Sequence, residues 1–424
     1  MTIHTGLTIF DPQPLAHVID RSYFAQYHPI SDYSNNGPIE FSIAGSNEEY
    51  IDCNDIYLYI QLQVVKKDGT DLDSTVIPAN SFHSSLFSDV VLKLNEKQID
   101  GGQDSYAYKS YLSYLLQYNK NVKASHLELV GWTNDGEEVG LDNATNKGLL
   151  KRSKWIETSR VFELYGPVNL DLFRQGRYLL SHVDLRLNFK RTSSEFVLSD
   201  YAAKPGSYKI NILKAVLEIR RAVIVPMIIN AHAKGILERN AIYPVNHTRL
   251  ITFTIPTGAT SYIKSDLFSS QKPKLLFIAM IENSVYNGDI QKNPFNFINL
   301  NKLSLFDGGN AIMGEALEPN FAKKLYARTY VFSSIALNQF NSSDNSNGIT
   351  YDMFGNGFTI YAFDLTADNQ VYAEHWHGVQ PSNLRLDLAF DTALPETINV
   401  LLFGVFDSAI EITASRDILM HYIR

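Results

Sequence analysis

The sequence predicts an all-β chain built as two tandem eight-stranded jelly rolls, with a few short helices in the connections. Three observations carry this expectation. Apolar residues alternate with period 2 along most of the chain, the 424 residues halve to about 212, and short internal matches recur in one order at nearly that spacing. β-Sandwiches and barrels run to ~200–250 residues as one unit, so two equal domains fit as well as three average ones. A 45% hydrophobic and 12% aromatic composition, with 24 Tyr and 24 Phe, supplies large cores, and 19% charged residues is low for a coiled coil or a disordered chain.

Residues 1–37 read as an irregular leader or arm. Pro12, Pro14 and Pro29 interrupt any helix, and Asn35-Asn36-Gly37-Pro38 makes a turn ahead of the first regular element. The first jelly roll is expected over 38–225. Ile56, Leu58, Ile60, Leu62 and Val64 alternate with Tyr57, Tyr59, Gln61, Gln63 and Val65 as far as the turn Lys67-Asp68-Gly69-Thr70. Val90, Leu92 and Leu94 follow the same rule, as do Val183, Leu185, Leu187 and Phe189, then Leu213, Ala215, Leu217 and Ile219. Between them, Asp104 is a plausible N-cap for a helix to about Tyr118, with Tyr108, Leu112 and Leu115 on one stripe. Residues 226–245 read as a linker with a short helix from about Met227 to Arg239, and 246–424 as the second jelly roll. There Ile251, Phe253 and Ile255 alternate, Lys274 to Ile281 is a continuous apolar run suited to a strand covered on both faces, and Leu384, Leu386, Leu388 and Phe390 alternate again. A further helix is expected from about Phe321 to Leu337. Asn119 to Thr158 and Gln339 to Gly357 are long connections that would be outward or intersubunit loops, the second, rich in Asn, Ser and Gly, the better candidate for an exposed tip.

Three internal matches, any one of which β-rich chains produce by chance, together point to a duplication. Asp100-Gly101-Gly102 recurs as Asp307-Gly308-Gly309, 207 residues on; Phe162-Glu163-Leu164-Tyr165 as Phe358-Thr359-Ile360-Tyr361, 196 on; and Leu185-Arg186-Leu187 as Leu384-Arg385-Leu386, 199 on. A duplicated domain with small loop insertions produces such a series.

Charge and motifs narrow the function. A net charge of −8, from 37 Lys and Arg against 45 Asp and Glu, argues against gripping nucleic acid by bulk electrostatics, and no sequence-specific nucleic-acid binding is expected. No stretch approaches the ~18–20 apolar residues of a membrane span, and MTIHTGLTIF lacks the character of a secretory signal, so synthesis inside the producing cell is expected. Cys53 alone allows neither an intrachain disulfide nor a cysteine-cluster metal site.

GxSxG, HExxH and a phosphate-loop GK are missing, and Gly355-Asn356-Gly357 lacks the third glycine of a dinucleotide fingerprint. Glu374-His375-Trp376-His377 sets alternate histidines as two metal ligands would stand. Gly378 to Leu386 offers no Glu to complete a cupin-type set, however, and the stretch reads as a loop or surface strand. Asp68 to Asp73 has oxygen ligands suited to calcium but reads as an acidic hairpin turn, and Lys151-Arg152-Ser153-Lys154 as a solvated loop. Asn143-Ala144-Thr145, Asn246-His247-Thr248 and Asn341-Ser342-Ser343 match glycosylation sequons without a secretory route. No catalytic, cofactor-binding or metal-ligating residue is therefore assigned, no cofactor is expected, and the chain does not read as an enzyme.

Several stretches carry a resemblance: Ile51 to Tyr59, Asp100 to Leu116, Ala231-His232-Ala233-Lys234, Phe253-Thr254-Ile255-Pro256, Lys292 to Phe297, Ala362 to Thr366, and Leu394 to Val400. Together, over about residues 50–415, the chain resembles the double jelly-roll major capsid proteins of Polinton (Maverick) elements and adintoviruses, and more distantly those of virophages and other double-stranded DNA viruses. The resemblance implies a homotrimer forming a pseudo-hexameric capsomer. Capsomers would tile an icosahedral virion shell around double-stranded DNA, with a penton or minor capsid protein as further partner. Two alternatives stand beside it. A tandem jelly roll that binds or cleaves glycans would want exposed tryptophans, of which only Trp132, Trp155 and Trp376 exist; a penton-type minor capsid protein typically holds one jelly roll.

Overall fold

The computed structural model describes residues 18–33, 36–72, 75–135, 146–202, 205–269, 271–340, 346–373 and 375–422. The first half supplies β1 (Ile19–Tyr27), β2 (Ile39–Ile43), β3 (Glu49–Lys66), β4 (Val76–Pro78), β5 (Phe87–Leu94), β6 (Lys97–Asp100), β7 (Phe162–Pro167), β8 (Leu185–Arg191), β9 (Leu198–Asp200) and β10 (Tyr208–Ile224). The second supplies β11 (Ala241–Ile255), β12 (Ser261–Lys264), β13 (Leu275–Glu282), β14 (Lys302–Asp307), β15 (Asn310–Ala311), β16 (Tyr361–Asp364), β17 (Leu384–Ala389), β18 (Ile398–Ile412) and β19 (Ile418–Tyr422).

Each half is a jelly roll of two four-stranded antiparallel sheets. The first pairs its strands in the orders β1-β10-β3-β7 and β2-β8-β5-β6; the second repeats this as β11-β18-β13-β16 and β12-β17-β14-β15, with β19 added beside β18. Setting aside the short β4–β9 pair, the eight strands of one half map in chain order onto the eight of the other. The period-2 pattern explains each strand. In β3, Leu58, Ile60, Leu62 and Val64 are fully buried while Tyr57, Tyr59, Gln61 and Gln63 are half-buried on the other face.

The structure departs from the sequence reading in several places; among them, the helix expected to be capped by Asp104 begins at Tyr106 with Ser105 at its N-cap, and the helix expected from Phe321 begins at Ala327. Ile19–Tyr27, expected inside an irregular leader, is strand β1, hydrogen-bonded along β10 from Ile19 opposite Ile224 to Tyr27 opposite Leu217. Its weak pattern has a physical reason: it is an edge strand, almost wholly exposed, with no face in the core to impose alternation. The linker helix spans Pro226–Glu238, and β11 begins at Ala241, so five of the residues expected in the linker up to 245 are already strand. Leu213 is exposed, because a bulge between Ile212 and Lys214 resets the side-chain alternation of β10. The long connection after Asn119 carries helices among its described residues, over Lys120–Lys123 and Lys147–Ile156.

Two of the three internal matches fall on equivalent strands. Leu185 of β8 faces Leu94 at the end of β5, just as Leu384 of β17 faces Asp307 at the end of β14, and the 162 and 358 stretches lead into or lie in β7 and β16. The Asp-Gly-Gly match is not structural. Asp307-Gly308-Gly309 turns between β14 and β15, whereas Asp100-Gly101-Gly102 follows β6. Gly101 is required there, with φ of 92° and a Cβ position only 2.5 Å from the Val90 carbonyl oxygen.

Candidate assembly surfaces and the joint between the barrels

The two barrels meet through one sheet of the second. Leu276, Ile278 and Met280 of β13 point into the second barrel's own core; Leu275, Phe277, Ala279 and Ile281 on the opposite face belong to the hydrophobic cluster that continues into the first barrel. This is the doubly covered run that the sequence reading expected. From the first half, the helix Tyr106–Gln117 meets the second, and eleven of its twelve residues are buried. Tyr111 stacks on Phe295 with centroids 3.8 Å apart and planes within 5°, and Tyr108 stacks on Tyr286 and meets Phe295 edge-on. The expected amphipathic stripe of Tyr108, Leu112 and Leu115 is thus a helix covered nearly all round, a consequence of two partners covering opposite sides.

A buried charge cluster crosses the same joint. Lys109 lies 3.1 Å from Asp100 and 2.8 Å from Asp171, and Asp171 in turn accepts from the hydroxyl and backbone N–H of Thr248 and lies 3.3 Å from His247 on β11. Burial works against the charged carboxylate, but the Lys109 ammonium and His247 hold Asp171 well below the usual carboxylate range. Asn246-His247-Thr248, a sequon by pattern, is therefore part of this joint, with Asn246 itself accepting from Lys274. Lys123 donates to the carbonyls of Leu115 and Asn347, one from each half, and burial pulls its amine down to about 7.

The surfaces left open are as specific. The helix Ala327–Ala336 follows β15 as Tyr106–Gln117 follows β6, yet only Thr329, Ser333 and Ala336 of it are buried. Around it Leu325, Ile335 and Phe340 are 65%, 52% and 55% exposed. The first-barrel sheet equivalent to the one buried at the joint presents Phe24, Tyr57, Tyr59 and Tyr165 on its outer face, with Tyr57 stacked on Tyr165 and Phe24 tilted against Tyr57. The linker helix has no buried residue, exposes Met227 and Leu237, and roofs a cleft of about 720 Å³ where His232 stacks on Tyr50 and their polar atoms meet at 3.0 Å.

The chemistry-bearing stretches fall apart in space. Lys151 to Lys154 lies in a helix, not a solvated loop, and Arg152 is 1% exposed, held by Asp135, Thr133 and the Pro78 carbonyl. Asp68 caps its own turn by accepting from the Thr70 N–H and hydroxyl, while Asp73 is outside the described residues. Asn143, Asn341 and Glu374 also lie outside them. Cys53 is buried and its thiol is pushed up to about 12. Trp132 is buried, Trp155 half-buried and Trp376 exposed. His375 and His377 sit in the β16–β17 connection with Asp368, which sequence reasoning missed because it sought the third donor downstream. Among the described residues no helix is long and apolar enough to cross a membrane.

No protein-family model matches the chain. An uncharacterized protein of Caenorhabditis elegans is 24% identical over 402 residues, covering 91% of this chain and 93% of that protein. Among solved structures, a chain of the Sputnik virophage superposes with a TM-score of 0.65 at 12% identity, covering 100% of this chain and 93% of that one. A chain of the PBCV-1 virus capsid gives 0.63 at 11% identity, over 98% and 100%. The mavirus major capsid protein gives 0.58 at 11% identity, over 99% and 93%. Over its full length, the chain has the double jelly-roll fold of these viral major capsid proteins.

Proposed function

We propose that the chain is a structural, non-enzymatic major capsid protein of the Polinton and adintovirus type, which trimerises into a pseudo-hexameric capsomer and tiles an icosahedral virion shell around double-stranded DNA. One observation carries the trimer. Within the chain, the helix after strand six of the first barrel and the residues around it cover one sheet of the second barrel. The same helix in the second barrel and the same sheet in the first are both left open, with apolar side chains on each. Repeating the internal contact between copies pairs the region around Leu325, Ile335 and Phe340 with the Phe24, Tyr57, Tyr59 and Tyr165 face of the next copy. Three chains then close a ring of six barrels, a heterologous contact that ends on itself. Exposed aromatic and aliphatic clusters of this kind fit a protein interface.

The acidic balance of −8 fits a shell held by protein contacts and not by genome charge. A relative of nearly equal length encoded by an animal supports an element-borne origin, since an integrated element leaves its capsid gene in a host genome. A penton or minor capsid protein would close the vertices.

Size-exclusion chromatography with light scattering tests the reading. Three chains of 47.9 kDa give about 144 kDa, and negative stain should show hexagonal outlines. Ile335→Glu should yield a folded monomer, because Ile335 is 52% exposed within one chain and its loss costs the barrel little. A parent chain that stays monomeric over a wide concentration range overturns the trimer, and an Ile335→Glu trimer overturns the assigned contact.

A further inference from the structure

We propose that the β16–β17 connection carries a binding site for one divalent transition-metal ion of the zinc class, with Asp368, His375 and His377 as protein ligands and a fourth position open. This goes beyond the capsid reading and does not depend on it.

The three side chains bring one donor atom each to within 4.8 Å of one another. Asp368 Oδ2 lies 3.0 Å from His375 Nε2, and Asp368 Oδ1 lies 3.3 Å from His377 Nε2. Tetrahedral zinc, with bonds of ~2.0–2.1 Å, sets neighbouring ligand atoms about 3.3 Å apart; the two Asp368 oxygens already stand at about that distance, one from each imidazole, and the donor set as a whole, within 4.8 Å, closes on the ion by side-chain rotation. The two imidazole rings lie with centroids 4.8 Å apart, and Trp376 between them in sequence is exposed.

A second observation points to a ligand. The far side of His377 is fixed by Asp407 of β18: His377 Nδ1 lies 3.1 Å from Asp407 Oδ2, which also accepts from the His377 backbone N–H at 2.9 Å. Asp407 is itself buried, and Lys274 at 2.5 Å keeps it a carboxylate. An ionised carboxylate accepts but does not donate, so Nδ1 is the nitrogen that donates to Asp407, and Nε2 is the nitrogen turned toward Asp368 and His375. That Nε2 is buried and makes no hydrogen bond, since its approach to Asp368 is misaligned for one. A buried imidazole nitrogen without a hydrogen bond, backed by a carboxylate on its other nitrogen, is the arrangement in which histidine ligates metal.

Two imidazoles and one carboxylate select zinc, cobalt, nickel or copper over calcium and magnesium, which want all-oxygen shells. Asp368 and His375 are 39% and 53% exposed at the side chain, so the fourth position opens to water or to a donor from a neighbouring molecule. Bound there, the ion would clip the long β16–β17 connection onto β18 through His377 and Asp407.

The test uses the full chain, stripped with EDTA and titrated with ZnCl2 by calorimetry, with metal counted by mass spectrometry after dialysis. One zinc per chain is expected, together with the visible absorption of tetrahedral cobalt when Co2+ replaces it. His375→Ala removes an exposed ligand that the fold does not need and should weaken zinc about 100-fold. Asp407→Asn, at a positioning residue, should weaken it ~10–100-fold while shifting the cobalt spectrum. His377→Ala is compared by circular dichroism in EDTA to confirm that it folds. Zinc well below one per chain in the parent overturns the proposal, as does unchanged affinity in His375→Ala, which would place the ion on other histidines.

Discussion

Removing the Phe295 ring should uncouple the barrels more than any surface change. Phe295 is 1% exposed, lies flat on Tyr111 at 3.8 Å, and has Tyr108 at 5.7 Å and Phe196 at 6.4 Å edge-on. Its partners all come from the first half, while Phe295 belongs to the second. Phe295→Ala loses the ~1.5–3 kcal/mol of burying the ring, and a residual cavity adds ~24 cal/mol per Å³ wherever the walls fail to collapse. Rigid aromatic neighbours on several sides limit that collapse, so a loss of about 4 kcal/mol is expected, near the middle of the range for buried Phe→Ala. Urea unfolding followed by tryptophan fluorescence and far-ultraviolet circular dichroism measures it. Leu237→Ala on the linker helix, 77% exposed, is the control and should stay within ~0.5 kcal/mol. Because the ring belongs to both barrels, both signals should shift to lower urea together. A double-mutant cycle with Tyr111→Leu should show a coupling of ~0.5–1.5 kcal/mol. A loss below ~1 kcal/mol, or a shift in one barrel's transition with the other untouched, would refute the view that the aromatic joint makes one mechanical block.

Two further outcomes follow from buried charge. Arg152→Met strands the Asp135 carboxylate in a nearly water-free site and should cost ~3–5 kcal/mol by urea unfolding; Arg152→Met with Asp135→Leu should recover most of it, and a double variant no better than the single would contradict the pairing. His83 is fully buried with Nε2 on the Leu58 carbonyl, and burial pulls its pKa down from 6.5 to about 4. Above pH 6.5 the ring is neutral in both states; as pH falls from 6.5 to 4 only the unfolded chain takes up the proton, so stability declines by about 3 kcal/mol across that window. His83→Gln should flatten this acid limb, and an unchanged slope between pH 6.5 and 4 would assign it to other groups.

Much of the architecture was legible because sheet burial imposes a period that survives without neighbours. The alternation in β3, β8 and β17 and the continuous run of β13 marked strands and even their number of covered faces. What the pattern missed shares one cause: the missing information was a contact, not a composition. β1 has no core face, so its nine residues carry no alternation, and only its pairing with β10 makes it a strand. Arg152 looked solvated among Lys151 and Lys154, because the carboxylate that buries it, Asp135, arrives from 17 residues away. Asp368 reaches the two histidines from upstream, where no spacing rule was looking.

The sequence by itself determined that the chain is a tandem of two jelly rolls. The register of Leu185 and Leu384 on equivalent strands was written in their spacing, whereas the Asp-Gly-Gly match was coincidence of turn chemistry, which recurs wherever a tight turn needs φ above zero. Only the tertiary structure decided which face of which barrel is covered. Helices at equivalent positions differ in burial, eleven of twelve residues in the first half and three of ten in the second, because a helix is buried by what lies across from it. That difference in covering, which no local pattern encodes, is what leaves complementary apolar faces on the outside of the chain.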